Sequence, residues 1–377
     1  MRIKLIDVDN RLNIKFSKVD GIFNFGDDNA YPHLIKSLIG SSVTAKACSD
    51  INSKYIFGKG FNFDGKTAFV NKNGLTVNQL LRIASKEFSE QNNLFFHVNW
   101  NADYHITSVT LIPTTDPRIG KADSLGYSGK FVVYDNWDKT KGKNIQKKDF
   151  SIIDRFNPNP AVINKQVEAA GGWKKYKGQI LHVNSDFSEL YSLSDGDCVI
   201  NDMLSEYLAG VYKNAGLRKG YFGTRIFVTK ALDGYEERRN LEEMLKSLAG
   251  VEESQAIVHL EADKTTEDLK SQFVIEDISS NIDDKKFQAT EASSAENIMV
   301  AFGVPKILIN LNSDNSIFGN SGELLKSAKM LHWEQKEEER QIIAEAFERI
   351  FKHWHEPINP ANDWTIIPII STETQAQ

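Results

Sequence analysis

The stretch ENIMVAFGVPKILINLNSDNSIFGNSGELL, residues 296–325, decides how this chain is read. A helical pattern running from about Asp284 meets Gly303-Val304-Pro305 and has to stop there. Pro305 has no N–H to donate and biases Val304 away from helical geometry, while Gly303 relaxes the exit. The loop that follows, Lys306–Phe318, mixes aliphatic Ile307, Leu308, Ile309, Leu311 and Ile317 with the short amides Asn310, Asn312 and Asn315. It carries a single cation and a single acid. On the residues alone, Ile307 to Ile309 suit a buried strand as well as a surface loop, and Lys306 suits a solvated cap better than a contact. A second, long helix is expected from about Gly322 to Trp354.

Upstream of this stretch the same grammar repeats. In DCVINDMLSEYLAGVYKNAGLRKG, apolar pairs at Val199/Ile200, Met203/Leu204, Tyr207/Leu208 and Val211/Tyr212 form a broad helical stripe, ended by Asn214 to Gly220. That stripe is first a packing face. Between it and Asp284 lies a compact run: strand TRIFVTK, helix YEERRNLEEMLKSLAG, and strands QAIVHLEA and SQFVIEDI. Two helices therefore bracket a small αβ insertion, and a hinge follows the second of them.

The first half is α+β. GDDNAYPHLIKSLIGSSVTAKACSDINSKYIFGKGF predicts a turn, a helix with Asp28 or Asn29 as cap and Pro32 in its first turn, a break at Gly40-Ser41, and a second helix to about Tyr55. In the next helix Val77, Leu80, Leu81, Ala84 and Phe88 share one face. From Leu94 to Val133 the pattern turns to period two with β-branched residues, which predicts a small antiparallel sheet, completed by QILHVNSD at 179–186.

Composition bounds the function. A chain of 377 residues with 41% hydrophobic and 25% charged residues is globular and long enough for two or three modules. Neither an apolar run long enough to span a bilayer nor a secretory block is present, so no membrane association or export is expected. Cys48 and Cys198, both in apolar helical contexts, are expected to be buried small hydrophobes in a reducing compartment. The net charge of −6 argues against tight nucleic-acid binding, which needs concentrated Lys and Arg. The short clusters at Lys141–Lys143 and Lys174–Lys177 are solvated loops, and Glu334–Arg340 reads as an exposed charged helix face.

Taken together, YPHLIKSLI…YIFGKGF, ILHVN followed by LYSLSDGDCVINDML, the small insertion, and AENIMVAFGVPKILI…FGNSGELL resemble the tailed-bacteriophage portal family, over about residues 20–355. The resemblance implies a portal fold with residues 1–195 as an α+β wing, 196–216 as a first stem helix and 217–282 as a clip. It further implies 283–303 as a second stem helix, 304–321 as a tunnel loop, and 322–377 as a long wing or crown helix with a short tail. About 20 residues follow Trp354, so any crown is expected to be minimal. The family forms rings, usually of twelve copies, at one capsid vertex, through which double-stranded DNA is packaged and ejected. Implied partners are further copies of the chain, the large terminase, the major capsid protein and head-tail adaptor proteins, with no cofactor and no membrane. Lys306, Ile307, Leu308, Asn310, Asn312 and Asn315 would line the channel, with Gly303 and Pro305 as its hinge. Asp195, Asp197, Asp202, Glu206, Asp283 and Asp284 are candidates for an acidic wall.

Enzyme signatures are weak by comparison. Gly126–Phe131 (GYSGKF) lacks the spacing and the Ser/Thr of a phosphate-binding loop. The two histidines of HWHE, residues 353–356, do not share a helical face, and no Gly-x-Ser-x-Gly elbow is present. The alternative class is a metal-dependent nuclease or transferase, with Asp283 and Asp284 holding a divalent ion.

Overall fold

The computed structural model describes residues 16–17, 21–26, 28–124, 126–140, 150–218, 225–230, 236, 239, 257–262, 274–277, 284–309 and 321–369. In chain order the elements are β1 Phe16–Ser17, β2 Ile22–Phe23, α1 Tyr31–Ser41, α2 Val43–Phe57, α3 Val77–Gln91, β3 Asn93–Trp100, β4 Ile106–Ile112, β5 Pro117–Ile119 and β6 Lys130–Val133. There follow α4 Trp137–Thr140, β7 Ser151–Arg155, α5 Pro160–Ala170, β8 Gln179–Asn184, α6 Ile200–Arg218, β9 Arg225–Lys230, β10 Ile257–Ala262 and β11 Val274–Asp277. The last four are α7 Asp284–Ala301, α8 Lys306–Ile309, α9 Ser321–Gln335 and α10 Glu337–Phe351. These elements divide into two compact units, one built from residues 1–203 and 296–377, the other from 204–295.

The first unit is a six-stranded sheet, in the order β4-β3-β8-β7-β6-β5, with helices packed on it. Its ladders are antiparallel except β7 against β8, which run parallel. This corrects the wholly antiparallel expectation, and the cause is α5. A parallel pair needs a crossover, and α5 supplies it between the two strands. Its ends are written in the sequence: Asn159 accepts from the Ala161 N–H as N-cap, Pro160 takes the first turn, and Gly171 closes the helix in left-handed conformation.

The core confirms the predicted face of α3, where Val77, Leu80, Leu81, Ala84 and Phe88 are fully buried. A Thr76–Gln79 capping box starts that helix. The far end of the chain completes the same core. Phe347 of α10 meets Phe61 at 5.0 Å and Phe96 of β3 at 5.7 Å between ring centroids, and Trp364 closes the cluster edge-on to Phe61. Burying such aromatic pairs is worth more than their area alone.

Four local expectations change. The break between the first two helices falls at Ser42, whose hydroxyl accepts from the Ala45 N–H as N-cap of α2. Neither Asp28 nor Asn29 caps α1: its N-cap is Ala30, and the Asn29 side-chain Oδ1 instead accepts from the Phe25 N–H and from the Arg118 Nε–H. Cys48 is buried but Cys198 is exposed. The 3-10 turn Asp197–Val199 sends Val199 inward and leaves the thiol outside.

The fourth change concerns the long C-terminal helix, which is two helices. The chain breaks at Lys336, and Glu337, Glu338 and Glu339 fill the first turn of α10, where the positive end of the helix dipole favours acids. The Glu334–Arg340 run is therefore solvated only in part: Glu334, Gln335, Glu337 and Glu338 are exposed, as expected, while its two basic residues turn inward. Lys336 and Arg340 are both buried, the first paired with Glu339 at 2.8 Å and the second lying 3.6 Å over the Trp333 ring.

In the second unit β9 is the central strand, parallel to β10 and antiparallel to β11. The parallel pair demands a crossover from Lys230 to Ile257. The helix predicted for that span lies outside the described residues. Within the same unit α6 and α7 are joined by an ion pair between Lys213 and Glu291.

Candidate functional site

The site proposed from sequence is the hinge after α7, and its geometry follows from two residues. The Gly303 N–H donates to the Val300 carbonyl at 3.1 Å and the Val304 N–H to the Met299 carbonyl at 3.0 Å. These are the paired bonds of a Schellman cap, with Gly303 in the left-handed region at φ 63°. Glycine ends the helix, and Pro305, two residues on, forbids its resumption in register.

Around this cap the first unit grips the ends of both long helices. Phe302 is fully buried, as are Ile298 before it and Met203 in the first turn of α6. A Cβ at Gly196 would stand 3.2 Å from the end of Met203 and 3.3 Å from the Phe302 ring, so a larger residue there would need both side chains to give by a few tenths of an ångström. Asn52, buried on α2, donates its amide to the Phe302 carbonyl at 3.0 Å and satisfies one of the acceptors that a helix end leaves open.

Behind the hinge sits a polar cluster. His332 of α9 is fully buried and lies edge-on to the Tyr55 ring at 4.6 Å. Burial pushes its imidazole below the ordinary value, partly offset by the hydrogen bond between its Nδ1 and Gln335. Arg340 reaches the Tyr55 carbonyl at 3.4 Å, and burial likewise lowers its pKa. The C-terminal end of α2, the cap of α7 and the α9–α10 break thus meet in one place.

The predicted lining residues fall out as follows. Lys306 is exposed and paired with exposed Glu296 at 3.1 Å, an arrangement of marginal energetic value. Ile307, Leu308 and Ile309 belong to the short helix α8 and are half-buried, so they are neither an open loop nor a buried strand. Asn310, Asn312 and Asn315 lie outside the described residues. Of the acidic candidates, Asp195 accepts from Asn92 at 2.7 Å, Asp197 is buried, and Asp202 accepts from Asn297 at 3.3 Å. Asp284 opens α7, and Asp283 is outside the described residues.

Sequence reasoning missed Asn52, His332 and the buried pair Lys336 and Arg340. Asn52 carried a signal, being a polar residue on the apolar stripe of Cys48, Tyr55 and Ile56. Among the described residues no three His, Cys, Asp or Glu side chains gather as a metal site. No described helix is long and apolar enough to cross a membrane.

Compared with known proteins, the chain matches no family model and no curated protein. Among solved structures it is similar to a chain in the virion of a native gene transfer agent particle, at 12% identity and a TM-score of 0.47, over 78% of this chain and 73% of that one. A chain in the neck of the native particle, computed with C12 symmetry, gives 13% identity and a TM-score of 0.47 over 80% and 76%. The HK97 family phage portal protein from Corynebacterium diphtheriae gives 8% identity and a TM-score of 0.38 over 77% and 82%.

Proposed function

We propose that the chain is a portal subunit, non-enzymatic, working as a ring of about twelve copies at one capsid vertex. Double-stranded DNA is packaged and later ejected through the ring. The large terminase docks on residues 217–282 during packaging and head-tail adaptor proteins bind afterwards, with the major capsid protein around the vertex. The observation that carries this assignment is the hinge, a Gly303 cap and Pro305 stop ending a helix whose last turn is buried beside the first turn of α6. Two helices rooted together, with an inserted unit between them and a turn-and-amide segment after the second, are the parts a ring needs to line a central passage.

The physical logic concerns friction. A polymer moving past a wall is held back by each strong phosphate contact, because neutralising phosphates releases counterions and gains affinity. Residues 304–321 as tunnel loop offer aliphatic groups and short amides, and their single cation, Lys306, is already beside Glu296. Contacts of that kind keep a duplex centred without trapping it, and the net charge of −6 works in the same direction.

Mass photometry and negative-stain imaging of the purified chain test this directly. A ring with a central hole is expected. A species that stays monomeric or dimeric at all concentrations, and that degrades DNA with magnesium, would overturn the assignment. Deleting Asn310–Asn315 is expected to spare ring assembly while impairing DNA packaging or retention; loss of assembly would instead make that segment part of the core.

A further inference from the structure

A cavity of about 380 Å³ in the first unit lies between the end of α10 and the segment after β7, lined by Phe156, Asn157, Pro158, Arg349, Lys352 and His353. No carboxylate lines it, in a chain where acids outnumber Lys and Arg by 51 to 45. Among the described residues neither Arg349 nor Lys352 joins an ion pair, although both are exposed. One role for cations here is to offset the negative end of the α10 dipole, but that end amounts to only about half an elementary charge. Two permanent cations exceed it about fourfold. A positive surplus is left over, concave and without a partner.

The rim is held in place. Gln179, fully buried on β8, accepts from the Asn157 N–H at 3.0 Å and donates to the Asn157 carbonyl at 3.1 Å. The same Gln179 oxygen accepts from the Trp100 indole at 3.1 Å. Trp100 in turn stacks on Phe156, with centroids 6.0 Å apart, and lies at the same distance from His353. The aromatic wall is therefore fixed to the β3–β8 strand pair, while the exposed Arg349 and Lys352 side chains are left to close on a ligand.

We propose that this cavity is a binding site for a phosphomonoester, with the phosphate between Arg349 and Lys352 and an organic ring against Phe156. The charge and donor count favour a phosphate over a carboxylate. Two cations match a dianion, and the guanidinium fork, the ammonium and the Asn157 side-chain NH2 supply more donors than two carboxylate oxygens can accept. The volume exceeds what a phosphate alone fills and lies in the range of small-molecule pockets, which leaves space for the ring. This site stands apart from the hinge and does not depend on the portal assignment.

Calorimetric titration of the full chain with inorganic phosphate and with a nucleoside monophosphate tests it. Saturable binding is expected for both, tighter for the nucleotide. Arg349→Gln and Lys352→Gln are each expected to weaken both by about tenfold, the value of one charge-assisted hydrogen bond. Phe156→Leu is expected to remove only the preference for the nucleotide. Because Arg349 and Lys352 are exposed, their variants should keep the wild-type unfolding midpoint. Lys326→Gln, on an exposed lysine of α9, should leave the affinities unchanged. The site is overturned if neither probe saturates, if Arg349→Gln and Lys352→Gln bind like wild type, or if Lys326→Gln loses as much. It is equally overturned if a duplex oligonucleotide binds, and is lost in the two variants, while the small probes do not bind.

Discussion

The two halves of α6 carry the same apolar stripe and meet different fates. At its root Ile200 and Met203 are 5% and 0% exposed, held against the first unit's core beside Phe302. Further along, Tyr207, Leu208, Val211 and Tyr212 are 37% to 47% exposed. Periodicity cannot tell these halves apart, because it reports that a face is apolar and not what covers it. In α7 the contrast is instead between faces, since Ile298 is fully buried and Val300, two residues on and nearly opposite around the helix, is 80% exposed. Burial at the roots belongs to one chain; cover for the outer stripe, on the portal assignment, belongs to a neighbouring copy.

If the roots are where a single chain stores its stability, Phe302→Ala should be the most damaging change. Emptying a fully buried aromatic site costs about 3–5 kcal/mol, a large share of the stability of an ordinary domain. Chemical denaturation of the first unit's transition would read it. Asn52→Ala should follow at about 1–3 kcal/mol, because it leaves the Phe302 carbonyl buried without its donor. A loss under about 1 kcal/mol for Phe302→Ala would mean that the helix ends are held elsewhere, and would break the contrast.

Acid should act on the same side of the comparison. His182, half-buried in the sheet and stacked on Phe95 at 4.4 Å, has its pKa pushed down to about 3, first by burial and then by the Arg155 charge. The unfolded chain, with histidine near its ordinary 6.5, binds the proton more readily. The stability from keeping this imidazole neutral is thus complete above about pH 6.5 and falls as pH drops toward 3, by about 1.4 kcal/mol per unit inside that window. His332 at the hinge is shifted in the same direction, by burial. Raised carboxyl groups such as Glu90 and Asp116 pull the other way, so the test is the difference in unfolding free energy between wild type and His182→Phe from pH 7 to 4. A difference that does not change with pH would remove His182 from the acid response.

Gly303→Ala should cost less, about 1–2 kcal/mol, the strain of a side chain held in the left-handed region. No atom stands within 4 Å of the added methyl, so the effect is conformational and not a clash. Gly303→Asn should recover part of it, since Asn tolerates that region. Equal losses for both would point to packing instead of backbone geometry.

How far the sequence led depends on whether the cause was local. The helix stop at Gly303 and Pro305, the α3 face and the strand runs were legible because caps, proline and periodicity act over a few residues. The parallel β7–β8 pair went unread although Asn159-Pro160 and Gly171-Gly172 mark both ends of its crossover helix. The buried Lys336 and Arg340 were not legible in that way. A run of seven polar residues looks solvated until Trp333 and the Tyr55 carbonyl, the latter nearly 300 positions away, are brought against it. Cys198 fell on the wrong side because one 3-10 turn rotates the stripe before α6 begins.

The smallest expected effect on the chain itself is the most informative about the outer stripe. Leu208→Glu and Val211→Glu place charges on positions 39% and 47% exposed, so each should change the unfolding free energy by no more than about 0.5 kcal/mol. A carboxylate driven into an apolar subunit contact costs several kilocalories per mole, and a closed ring repeats that cost at every interface. On the portal assignment, mass photometry should therefore show folded monomers for these variants and rings for the wild type. Rings that survive both charges would leave the stripe solvated in the assembly, and the contact between copies would have to be sought on another face. Should the variants fail to fold, the stripe is covered by the chain's own residues, and the two halves of α6 differ less than their exposures indicate.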